Sequence, residues 1–147
     1  MYFVDIASVM PLLGLSWPLH HSSKKRPSHW LDPHLQVVEQ GLTKTSLLAL
    51  KEATALSWQQ LADILHISVR TLQRYQPDQV LSTPLSERLL RLADVYAKGY
   101  GVFEDRTMFQ RWMQEPIPAL GYTVPLSLLP SLYGMDAIME ELGRIEH

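Results

Sequence analysis

Cysteine is missing altogether from the 147 residues, which excludes disulfides and thiolate zinc sites. The seven glycines are scattered, so no glycine-rich phosphate loop is present. No serine lies in a nucleophile-elbow context. The six histidines, His20, His21, His29, His34, His66 and His147, form no His-x-x-x-His or His-Glu-x-x-His pair of the kind that binds a metal on one helix face. The chain therefore reads as a non-enzyme that needs neither metal nor cofactor. A membrane-spanning run is also lacking. The apolar stretch Met1–Leu15 is broken by Asp5 and too short to cross a bilayer, and the basic cluster Lys24-Lys25-Arg26 follows it, where a secretory signal would place basic residues first. It reads as a short ordered segment that packs on the protein or on a partner, in a cytoplasmic protein without membrane contact.

An excess of positive charge is absent too. Thirteen Lys and Arg stand against fifteen Asp and Glu, a formal net charge of −2, so any binding of nucleic acid must rest on a local patch. Glu140, Glu141 and Glu146 concentrate acid near the C-terminus. What is present is the composition of a folded protein, 46% hydrophobic and 19% charged, not that of a disordered one.

Residues 16–34, with Trp17-Pro18, His20-His21, Lys24-Lys25-Arg26-Pro27 and Asp32-Pro33, read as a linker. Helical periodicity begins after it, with Leu35, Val38, Leu42, Leu47 and Leu48, and with Thr43 and Ser46 as candidate caps. Ser57 and Gln60 have capping-box spacing at the start of the next helix, which carries Leu61, Ala62, Ile64 and Leu65. Ser68 is placed to cap a helix over Val69–Tyr75 that Pro77 ends. Thr83-Pro84 predicts a further helix, with Thr83 as N-cap, Leu85, Leu89, Leu92, Ala93 and Tyr96 on one stripe, and Gly99 closing it. The remaining expectations are a helix over Glu104–Gln114 with Phe109, Trp112 and Met113 inward, a shaped loop over Glu115–Gly121, and helices over Pro125–Leu132 and Met135–Ile145. The last has Met135, Ile138, Met139, Leu142 and Ile145 on one face. No stretch alternates like a strand, so the fold class is all-α.

Trp58–Pro77 has the pattern of a helix-turn-helix. Ala62 is the small residue where the second helix crosses close, and Leu61, Leu65, Ile67, Leu72 and Tyr75 supply the apolar crossing. His66 stands at the turn, where glycine is usual because the backbone turns left-handed. The second helix would present Ser68, Arg70, Thr71, Gln73 and Arg74, residue types that reach base edges. Lys44, Gln59 and the Lys24 cluster are candidate phosphate contacts. Because such motifs read two-fold operators in pairs, a homodimer is implied. The plainer reading is two packed helices with a solvated polar face.

The second half carries Phe109/Arg111/Trp112, Pro118-Ala119-Leu120-Gly121, Pro125-Leu126-Ser127-Leu128-Leu129 and Arg144-Ile145-Glu146. In this combination, behind an Xre-like helix-turn-helix, these residues resemble the toxin-binding domain of Xre/MbcA/ParS-type antitoxins over about Thr43–His147. The sequence departs from the family at Ser127, often Asp, and at Ile117, usually polar. The resemblance implies an N-terminal extension over 1–34, a DNA-binding domain over 35–80 and a toxin-binding domain over 84–147. It further implies a RES-domain toxin as cognate partner, one that consumes NAD and whose pocket the antitoxin closes, with the complex repressing its own operator DNA. Arg111, Pro118, Leu120, Arg144, Ile145, Glu146 and His147 are the candidate toxin contacts. Trp112 and Leu120 also read as core residues, as large apolar side chains usually are. Two other readings stay open: a toxin-binding adaptor without DNA binding, which the net charge favours, and a plain helix-turn-helix transcriptional regulator.

Overall fold

The computed structural model describes residues 4–16 and 32–146; the Lys24-Lys25-Arg26 cluster and His147 lie outside the described residues. Helix α1 (Ile6–Val9) begins at Asp5, whose carboxylate accepts the Ala7 N–H, and runs into a 3-10 turn over Met10–Leu13. Then come α2 (Pro33–Gln40), α3 (Lys44–Thr54), α4 (Trp58–Leu65), α5 (Val69–Arg74), the long α6 (Thr83–Phe103) and α7 (Arg106–Trp112). Two 3-10 turns, Pro118–Leu120 and Pro125–Leu128, precede α8 (Leu132–Glu146). The described residues contain no strand, only two isolated bridges, Thr43 with Val80 and Ile117 with Thr123. None of their helices is long and apolar enough to cross a membrane.

Helix α6, about 30 Å long at 1.5 Å per residue, is the axis on which the other elements pack. Leu85, Leu89, Leu92, Ala93 and Tyr96 are all buried along it. It touches α1, α2, α3 and α4 on one side of the sequence and α7 and α8 on the other. The N-terminal apolar segment packs on the protein itself. Val9 and Leu13 are fully buried, and the 3-10 turn lies against α3 and α6. His34 on α2 bonds through Nε2 to the Asp94 carboxylate on α6 at 2.8 Å. Ser86, fully buried on α6, accepts the Leu42 N–H at 3.0 Å.

Local signals set most helix starts. Thr43, Ser57 and Ser68 accept backbone N–H groups of the first turns of α3, α4 and α5, and the Ser57–Gln60 capping box is formed in both directions. Several boundaries differ from the sequence reading. Helix α2 starts at Pro33, inside the stretch read as linker, because Asp32 caps it and Pro33 fits a first-turn position. The cap of α6 is Ser82 rather than Thr83, with its hydroxyl accepting from Leu85 N–H. The same helix passes through Gly99 and ends at Glu104, which takes the left-handed conformation at φ 59°. Gly99 is a packing position: a Cβ there would lie 2.1 Å from Phe109 Cζ.

Beyond α7 the segment Pro125–Leu132 is a single 3-10 turn plus the start of α8, not a helix of its own. Pro130 has no N–H to continue a helix, and the Ser131 hydroxyl accepts from Gly134 N–H to begin the next one. On α2 Leu35 faces outward and Val37 inward, so its buried stripe is rotated from the one the periodicity suggested, and on α3 Leu48 is likewise exposed. Ile145, read as the last inward residue of α8, is 45% exposed, because the end of α8 extends past the core.

Candidate functional site

The helix-turn-helix is built by α4 and α5. Ala62, Leu61, Leu65 and Leu72 are buried where the helices cross, with Ile67 and Tyr75 packed at the edge. Between them His66 adopts φ 57°, ψ 44°, and its N–H and that of Ile67 both reach the Ala62 carbonyl. The left-handed turn that glycine usually makes is thus made by histidine. Its ring does something glycine cannot: Nε2 donates to the Pro130 carbonyl at 2.6 Å, joining the turn to the segment ahead of α8.

Arg70, Thr71, Gln73 and Arg74 are all exposed on α5, while Leu72 between them is fully buried. Neither Arg70 nor Arg74 forms an ion pair among the described residues. Ser68 and Thr71 are exposed, but their hydroxyls bond each other at 2.8 Å and Ser68 also caps the helix. The other two candidates are engaged internally. Lys44 Nζ donates to the Gln73 carbonyl at 2.7 Å, and the Gln59 amide donates to the Asp63 carboxylate at 2.9 Å. Lys44 therefore sits at the C-terminal end of α5, where a cation meets free carbonyls favourably.

A device the sequence did not reveal fixes the orientation of α5. The segment after it turns back along the start of α3. Thr45 Oγ1 donates to the Pro77 carbonyl at 2.7 Å, and Leu81 N–H donates to the Leu42 carbonyl, also at 2.7 Å. These partners are about thirty to forty residues apart and leave no local pattern.

The C-terminal surface is held by aromatic packing. Phe109, fully buried, meets Tyr96 edge-on at a centroid distance of 5.4 Å, Tyr100 at 5.6 Å and the Trp112 ring at 5.9 Å. The Tyr100 hydroxyl donates to the Ala53 carbonyl and accepts from the Gln110 amide, so it bridges α3 and α7. Burial raises the Tyr100 phenol above its usual range, so it stays a neutral donor. Arg111 points to solvent on α7, and Pro118 is exposed on the first 3-10 turn. Leu120 is half-buried on that same turn and outside the main core, whereas Trp112 packs against the core from its edge.

The loop around Leu120 closes on itself. Ile117 N–H donates to Thr123 O, and Tyr122 N–H returns to Ile117 O at 2.9 Å. Gly121 and Tyr122 both take left-handed backbone, at φ 65° and 61°. At Ser127, where the resembled family often has Asp, the hydroxyl donates to the Val124 carbonyl at 2.6 Å, a role a carboxylate cannot fill.

The tail charges are paired. Arg144 donates to Glu141, which is largely buried, and Glu146 accepts from Lys98 Nζ at 2.8 Å. Among the described residues no cluster of three or more His, Asp or Glu could hold a metal.

Residues 33–94 match the family model described as the antitoxin Xre-like helix-turn-helix domain, and residues 98–147 match the antitoxin Xre/MbcA/ParS C-terminal toxin-binding domain. The chain is 28% identical over 118 residues to the protein named antitoxin Xre of Photorhabdus laumondii, covering 78% of this chain and 80% of that one. It is 29% identical over 113 residues to an antitoxin Xre of Pseudomonas putida, covering 76% and 69%. It is 25% identical over 120 residues to a Sphingobium protein named Prs ADP-ribosylating antitoxin, covering 75% and 76%.

Proposed function

We propose, for a chain that belongs to the Xre/MbcA/ParS antitoxin family, that it neutralises a cognate RES-type toxin by direct binding and represses its own operon through the helix-turn-helix. The observation that carries the DNA half is α5 itself: Arg70, Gln73 and Arg74 stand exposed on a helix whose Leu72 is locked into the core. Arginine and glutamine on such a helix reach guanine and adenine edges in the major groove. Lys44, tied to the end of the same helix, adds a positive charge beside it. The patch is local, consistent with a net charge of −2. Two-fold operators call for a homodimer, acting in the cytoplasm.

The toxin half rests on the unit from residue 84 onward, with the DNA-binding unit over 35–80. Arg144, Ile145 and Glu146 form the exposed end of α8, which enters the pocket of an NAD-consuming toxin. In each of their ion pairs the tail residue is the more exposed member, Arg144 beside Glu141 and Glu146 beside Lys98, so both tail charges are open to further contacts from a toxin. The Sphingobium relative is named for ADP-ribosylation, a chemistry whose donor is NAD, in keeping with this choice of toxin.

The test is co-expression with the protein encoded beside the gene, co-purification, and shift assays on the shared promoter at several salt concentrations. Co-purification with promoter binding that weakens steeply with salt, and that is lost in an Arg70→Ala/Arg74→Ala double variant, is the expected result. Co-purification without promoter binding would make this an adaptor. Promoter binding without co-purification would make it a plain regulator.

A further inference from the structure

We propose that Tyr122 is an aromatic anchor that seats this chain in its toxin; the inference rests on the toxin-binding reading of the C-terminal unit and adds the residue and the chemistry of the pocket that receives it. Three observations converge on it. From Pro116 to Met135 the sequence has no charged side chain, although Pro116, Pro118, Tyr122, Ser127, Ser131 and Tyr133 in that stretch are exposed. Within it the Tyr122 ring residue is 72% exposed, and its backbone is left-handed at φ 61° directly after a left-handed Gly121. Finally, the loop that holds it is braced by backbone bonds from Ile117 to Thr123, Leu120 to Ile117, Gly121 to Pro118 and Tyr122 to Ile117.

A turn that merely reverses the chain is served at this position by glycine or asparagine, which enter the left-handed region readily. A bulky aromatic there is uncommon, and here its ring is not spent on the core. The bracing fixes the backbone that carries it, so docking immobilises little more than the two side-chain torsions of tyrosine. A surface stretch without charge is unsuited to nucleic acid, whose binding is dominated by Lys and Arg on phosphates. It has instead the composition of a protein interface core, poor in charge and rich in tyrosine. The complementary site on the toxin is an apolar recess that accepts a phenol, with a hydrogen-bonding group at its floor for the hydroxyl.

The experiment uses the full chain and the toxin encoded beside its gene, comparing wild type with Tyr122→Gly and Tyr122→Phe by titration, melting temperature and promoter affinity. Tyr122→Gly removes the ring and relaxes the backbone together. Its expected signature is a melting temperature equal to or above wild type, unchanged promoter affinity, and toxin affinity weakened at least tenfold. Tyr122→Phe, which keeps the ring, is expected to weaken toxin binding by a smaller factor. Unchanged toxin affinity in Tyr122→Gly overturns the anchor while leaving the toxin reading intact. A fall in melting temperature alongside lost binding also overturns it, by making Tyr122 a structural residue. If wild type itself fails to bind the toxin, the toxin reading falls and the anchor with it.

Discussion

At the scale of single residues, the side chains that matter most here act over distances the sequence does not display. His66 could be recognised as the turn residue from its place between two apolar helices, and histidine tolerates that backbone. Its bond to Pro130 could not, because the partner lies sixty-four residues away. His34 is a similar case. It stood in what read as linker, yet it bonds the largely buried Asp94. That hydrogen bond raises the imidazole above its ordinary value against the opposing effect of burial, while burial raises the Asp94 carboxyl. A raised histidine stabilises the fold fully below the unfolded value, about 6.5, and that stability is lost as pH climbs through the folded value. Between pH 6 and pH 8 wild type is therefore expected to lose more stability than His34→Gln in parallel urea titrations. Equal losses would remove His34 from the pH response.

At the scale of elements, caps and proline breaks were legible because they act within one helical turn. The Ser57–Gln60 box, Ser68 and the end of α5 ahead of Pro77 are where their spacing put them. The end of α6 was not legible, because Gly99 gives the same local signal whether it closes a helix or admits a neighbour. Here the Phe109 ring fills the space, and the helix continues for another turn. Gly99→Ala is accordingly expected to destabilise the protein by about 1–3 kcal/mol through overpacking. That outcome is opposite in sign to the gain of about 1 kcal/mol that alanine brings in an open helix. A lower urea midpoint checks the first; a higher one would show that Phe109 moves aside without loss.

At the scale of the whole molecule, a single buried cluster runs from Val9 and Leu13 through Leu47, Leu72 and Leu92 to Phe109 and Leu142. Leu13→Ala, although in the first fifteen residues, is therefore expected to lower global stability by about 2–5 kcal/mol. Unfolding should remain one transition whether followed by tryptophan fluorescence or by circular dichroism, and two separated transitions would show that the N-terminal segment is not part of the common core. The sequence by itself determined the all-α class, the helix-turn-helix with its left-handed turn, and the likeness of the second half to a toxin-binding domain. Each of these rests on residue types at short, fixed spacings, and short spacings are all that local backbone geometry reads. The tertiary structure alone decided that the N-terminal segment folds onto α3 and α6, that Leu81 and Pro77 clamp α5 against α3, and that Tyr100 and His66 bridge elements forty-seven and sixty-four residues apart. Such contacts join groups far apart in the chain, at the exposed His66 and Thr45 as well as at the half-buried Tyr100, and the chain brings those partners together by topology, leaving no trace in the order of its residues.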